Sequence, residues 1–99
     1  MFNNTSLISI LKREEEIVCS LNRAERTVEL WKEELTRIQE CPAEWKAEYK
    51  DYILSDIQRY SSWIAESQAE ADEHRKKLCE VRKEIFEYFS ELKDTFTDL

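Results

Sequence analysis

The sequence predicts an all-α protein built from a few long helices. It has 99 residues with no glycine and one proline, whereas an ordinary domain contains about 7% glycine, much of it in tight turns. Charged residues make up 37% of the chain, and strong helix formers such as Glu, Lys, Leu and Ala are abundant. Apolar residues recur at steps of three and four along most of the chain, which is typical of amphipathic helices. We therefore expect one helical domain, residues 1–99, with few connections.

The first helix is predicted over residues 4–40. A row of ten positions from Leu7 to Ile38 keeps an unbroken three-four spacing, and nine of them are apolar. Glu14 is the exception. Nearly five heptads of this kind predict a single helix with a coiled-coil seam.

The pair Cys41-Pro42 predicts the corner of an antiparallel helical hairpin, within residues 39–42. Proline disfavours helical geometry in the residue before it and suits the first position of a new helix. A second, long helix is expected over residues 43–96. The hairpin is favoured over one continuous rod because a rod would leave both seams uncovered within the chain.

A tight corner also predicts the register of the hairpin. Counting outward from it places Trp31 near Tyr52 and Leu7 near His74. Residues beyond Leu78 then overhang the first helix, with no intrachain cover.

This overhanging end carries two adjacent apolar rows, an arc too wide for one neighbouring helix to cover. Symmetric dimerisation would cover it, helped by the widened apolar start of the first helix at Ile8, Leu11 and Val18. For the Phe86–Phe96 row, packing in a multi-helix core is favoured over a docking surface. The predicted protein-binding or oligomer interface comprises Leu78, Val81, Ile85, Phe86, Tyr88, Phe89, Leu92, Phe96 and Trp63.

A second architecture stays open, a monomeric three-helix bundle with a turn near residues 65–71. Ser67-Gln68-Ala69-Glu70 fits the capping-box pattern that begins many helices. The unbroken four-three spacing over residues 53–99 favours the long hairpin, because a turn usually resets the helical phase.

Composition narrows the classes of function. A net charge of −7, with both signs interleaved, disfavours direct nucleic-acid binding, which needs a basic field. No stretch approaches the ~20 apolar residues of a membrane span, and the first residues do not resemble a secretory signal. Three widely spaced cysteines, Cys19, Cys41 and Cys79, predict free thiols in a reducing cytoplasm.

Enzymatic chemistry is not expected. His74 is the sole histidine and has no Glu-x-x-His or short-spaced Cys partner, so neither a metal nor another cofactor is predicted. It is interpreted as a polar seam residue. The sequence thus favours a non-enzymatic cytoplasmic protein–protein interaction module, an adaptor or an inhibitor, acting as a homodimer. The alternatives are a purely structural self-assembling coiled coil and an acidic nucleic-acid mimic that inhibits a DNA-binding protein.

Overall fold

A computed structural model describes residues 4–97 of the chain, and the side chains of residues 6–94. Three helices follow one another: α1 (Asn4–Gln39), α2 (Ala43–Glu48) and α3 (Lys50–Thr97). Helices α1 and α3 pack against each other along their lengths, which confirms the all-α antiparallel hairpin. Helix α3 passes through residues 65–71 without a turn, so the three-helix bundle is wrong.

The corner is longer than the sequence suggests. Helix α1 ends where the Cys41 N–H donates to the Ile38 carbonyl instead of continuing the helical pattern. Pro42 has φ −54° and ψ 143°. It precedes α2, a short helix of about one and a half turns that completes the connection. At Tyr49, with φ −111° and ψ 28°, the backbone bends before α3 begins. The predicted second helix is therefore two helices, and no Gly or Pro marks the bend.

The longer corner shifts the register by more than one heptad, and the predicted register is wrong. Trp31 lies against Tyr60 and Trp63, with ring centroids 5.3 and 4.7 Å away, and not near Tyr52. Arg13, near the start of α1, reaches Glu84. Helix α1 therefore covers α3 well beyond Leu78, and the predicted overhang does not exist.

The core is a narrow seam in the central part of the hairpin. Ala24 and Ala71 are 5% and 2% exposed, and side chains this small allow two helices to approach closely. Around them, Ile10, Ile17 and Val18 pack partly buried against the seam. The buried residues are Leu21, Ala24, Val28, Ile64, Ala71, Leu78 and Val81.

Ion pairs tie the two helices together beside the seam. Glu25 accepts from Arg75 at 2.8 Å, and Glu14 accepts from the Arg82 Nε at 3.2 Å. Glu14, the single polar position in the apolar row of α1, thus has a specific partner across the seam. His74 is 19% exposed in its side chain, with its Nε2 3.5 Å from a Glu70 carboxylate oxygen on the same helix.

Candidate interaction surfaces

On one side of the seam, the residues that flank it change from charged to apolar toward the chain termini. Glu25 and Arg75 face each other across one side of the seam. Two heptads further along each antiparallel helix, the same two positions are taken by Leu11 and Phe89. An ion pair in the middle of the rod is therefore replaced by an apolar pair at its end.

Two more large side chains extend this apolar surface. Ile8 precedes Leu11 by three residues, and Phe86 precedes Phe89 by three, so each shares a helix face with the residue it precedes. The exposed fractions are 53% for Ile8, 41% for Leu11, 73% for Phe86 and 48% for Phe89. We call Ile8, Leu11, Phe86 and Phe89 the terminal patch.

The structure divides the residues that the sequence places in the interface. Leu78 and Val81 are buried against α1 of the same chain, because the shifted register brings α1 over them. They therefore belong to the core of the hairpin. Ile85, Tyr88 and Leu92 continue the seam-facing row and are half-buried. The Phe96 side chain lies outside the described residues.

Phe86 and Phe89 are the predicted interface residues that face solvent most clearly. Phe89 packs its ring edge-on against Tyr88 of the seam-facing row, with the centroids 6.0 Å apart, whereas Phe86 is the more exposed of the two. Ile8 and Leu11 join them because the start of α1 lies beside the end of α3. The sequence signal for this patch was the second apolar row on each helix.

Trp63 has a structural role in the hairpin. Its ring packs on Trp31 and, edge-on at 5.4 Å, on Tyr60. The Arg59 guanidinium lies 5.5 Å from the Trp63 ring centre and 5.7 Å from that of Tyr60. These three rings occupy the seam beyond the small side chains of Ala24 and Ala71, and the seam is wider there. Trp63 is half-buried.

A second group of exposed aromatic residues lies at the corner, at the far end of the rod. Trp45, Tyr49 and Tyr52 are 57%, 47% and 76% exposed. We call these three residues the aromatic corner. All three lie near the start of the predicted second helix, but no sequence signal predicts the bend at Tyr49 that arranges them.

Other candidate chemistry is sparse among the described side chains. No group of three or more His, Cys, Asp or Glu residues in residues 6–94 is placed to hold a metal ion. Cys19 and Cys79 are exposed, whereas Cys41 is half-buried at the corner. All three are free thiols. Over the described residues, none of the helices contains a segment long and apolar enough to cross a membrane.

Comparison with known proteins identified no relative of this chain. A scan of protein-family models, a search of curated proteins and a search of solved structures each found no match to the chain.

Proposed function

We propose that the protein is a non-enzymatic protein–protein interaction module, an adaptor or an inhibitor, that self-associates through the terminal patch. The observation that carries this proposal is the replacement of a flanking ion pair by four exposed apolar side chains at one end of the hairpin. Contiguous apolar surface of this kind is typical of protein-binding sites on soluble proteins. Aromatic residues such as Phe are also enriched at the centre of interfaces.

The area of the molecule supports a second copy as the occupant. The chain exposes 7985 Å², whereas a compact monomer of 12.0 kDa exposes about 6,000 Å². A typical stable interface covers about 800 Å² on each partner. The elongated hairpin therefore has ample surface to supply such an interface, and a two-fold pairing would bury the terminal patches of both copies at once.

The charges around the terminal patch also suit pairing between two copies. Residues 6–20 and 77–94 carry six basic and eight acidic side chains, a net charge of −2. Lys12, Glu15 and Lys83 lie on neighbouring turns of the two helices, so both signs are present beside the patch. A rim of mixed sign allows opposite charges to meet across a two-fold axis, while a rim of one sign would repel a second copy.

We place this function in the cytoplasm. The support is the three free thiols, two of them exposed, which a reducing compartment keeps unpaired.

Sedimentation equilibrium of wild type and Phe86→Glu tests the proposal. We expect wild type to approach twice its 12.0 kDa monomer mass with increasing concentration. A glutamate in the apolar patch must be desolvated on association, so the dimer dissociation constant should rise by about tenfold or more. Helix content by circular dichroism should stay unchanged, because Phe86 is 73% exposed.

Leu30→Glu is the matched control. Leu30 is 52% exposed on α1 but lies far from the terminal patch along the helix. We expect this variant to dimerise as wild type does. A wild-type chain that stays monomeric at all concentrations, or equal weakening by both substitutions, would contradict self-association through the patch.

A further inference from the structure

The aromatic corner is a second surface, independent of the terminal patch and at the opposite end of the hairpin. Its three aromatic residues flank a groove of about 240 Å³, formed where the end of α1, helix α2 and the start of α3 meet. Ile38 and Ile53 contribute apolar lining. The groove also has one charged lining residue, Asp56.

The corner is an acidic part of the chain. Residues 33–56 carry seven acidic and three basic side chains, so they hold −4 of the total charge of −7. All of residues 42–52 are exposed, so their charges face solvent. A field of this sign attracts basic groups and repels nucleic acids and anionic lipid surfaces. Charge complementarity therefore favours a basic segment of another protein.

The chain itself shows how these residue types hold an arginine. Arg59 donates to the Asp56 carboxylate at 2.6 Å, while its guanidinium lies 5.7 Å from the Tyr60 ring centre and 5.5 Å from that of Trp63. A carboxylate beside aromatic faces suits a guanidinium, which combines a salt bridge with cation–π attraction. The groove presents aromatic walls beside the same Asp56 carboxylate, which already pairs with Arg59.

Asp56 is able to accept a further donor. Its side chain is 40% exposed although it is paired with Arg59. A carboxylate has several acceptor positions on its two oxygens, so a second guanidinium can bind without displacing the first.

We infer that the aromatic corner binds a basic, arginine-bearing segment of a partner protein. The apolar part of the segment lies in the groove against Ile38 and Trp45, and an arginine reaches Asp56 across the faces of the tyrosines. The surrounding acidic residues accelerate encounter and make binding sensitive to salt. With self-association at the other end, each dimer would present two such sites.

Titration of the full chain with a short amphipathic peptide tests this inference. The peptide carries arginines on one helical face and leucines on the other, and matched peptides carry lysine or glutamate in place of arginine. Fluorescence anisotropy of the labelled peptide gives affinity, and the Trp45 indole N–H resonance reports the site. We expect the arginine peptide to bind and to shift this resonance, the lysine peptide to bind more weakly, and the glutamate peptide not to bind.

Variants locate the site. Trp45→Ala should weaken binding by about tenfold or more, as at an interface hot spot, and Asp56→Asn should reduce the preference for arginine over lysine. Leu30→Ala is the control for an exposed apolar residue elsewhere, and should bind as wild type does. Phe86→Glu should also bind normally, so failure of this inference is distinguishable from failure of self-association.

Three results would overturn the inference. The first is no binding of the arginine peptide to wild type. The second is binding that Trp45→Ala leaves unchanged while the chain stays helical. The third is Trp45-dependent binding of anionic phosphatidylserine vesicles without binding of the peptide, which would assign the corner to a membrane surface instead.

Discussion

At the scale of single residues, the positions beside the seam change their chemistry along the rod. On one side of the seam, Glu25 and Arg75 form an ion pair in the middle, and Leu11 and Phe89 take the same positions near the termini. Arg13 and Glu84 still form an ion pair near the termini. Exposed ion pairs contribute only about 0–1 kcal/mol each to stability. The charged pairs therefore matter mainly for register, whereas the apolar pair leaves surface that a partner can cover.

The pair Glu25–Arg75 provides a test of the observed register. Arg75→Glu should lower the free energy of unfolding by about 1 kcal/mol, because it removes pairs with Glu25 and Asp72 and places like charges together. Adding Glu25→Arg should recover about half of this loss. Urea denaturation at low and high salt measures both changes.

Lys76→Glu is the control for this charge reversal. It makes the same change of charge one residue further along α3, on an exposed side chain. Glu25→Arg should not rescue it. In a hairpin with the tight corner predicted from the sequence, Glu25 would lie near Gln58, so absence of rescue for Arg75→Glu would contradict the register described here.

At the scale of helices, the sequence was sufficient to predict that two long helices form and where α1 ends. The long three-four repeat predicted both long helices, and Cys41-Pro42 predicted the corner. The register was not predictable, because it depends on how many residues the corner uses. The short helix α2 and the bend at Tyr49 lengthen the connection, and no glycine or proline signals them.

The difference between the predicted and observed registers explains why the predicted interface residues are divided between the core and the surface. Leu78 and Val81 carry the same sequence pattern whether they face α1 or a second subunit, so only the register decides between the two. Phe86 and Phe89 lie in the second row, outside the seam in either register. The sequence nevertheless favoured a multi-helix core for this row, so the exposure of these two side chains in the hairpin was not predicted.

The continuity of α3 through its polar middle is tested by Ala69→Pro. Proline inside a helix removes a backbone hydrogen bond and clashes with the preceding turn, so we expect a loss of about 3 kcal/mol or more in the free energy of unfolding. Ala69 is exposed, so loss of packing does not confuse the result. Thermal unfolding followed by circular dichroism provides the measurement.

Ala43→Pro is the matched control. Ala43 begins α2, where proline is favoured, and Pro42 has ψ 143°, which suits a residue before proline. We expect little change in its melting temperature. If Ala69→Pro changed the melting temperature as little as Ala43→Pro does, the result would contradict a continuous α3 and indicate a turn near residues 65–71.

At the scale of the whole molecule, the protein is a rod of 77 × 19 × 13 Å with two chemically different ends. Its radius of gyration is 22.2 Å, whereas a compact chain of this length has about 13 Å. The terminal end is apolar with nearly balanced charge, and the corner end is aromatic and acidic. In our account the first end binds a second copy and the second end binds a basic segment.

The spacing between identical sites in the dimer follows from this arrangement. When two rods join at their terminal patches through a two-fold axis, the terminal regions of the two copies lie close together. In an extended pairing the two aromatic corners lie far apart, each at the outer end of a 77 Å rod. One dimer then holds two basic segments at a distance from each other.

Pulsed electron–electron resonance on singly labelled chains tests self-association at the terminal end most directly. With the three native cysteines replaced by serine, a spin label goes on Lys83→Cys beside the terminal patch, or on Glu48→Cys at the corner, so any dipolar signal arises between chains. We predict a short distance for the Lys83→Cys label, lost on adding Phe86→Glu, and a distance beyond measurable range for Glu48→Cys. No dipolar signal at Lys83→Cys, or a short distance only at Glu48→Cys, would contradict the account.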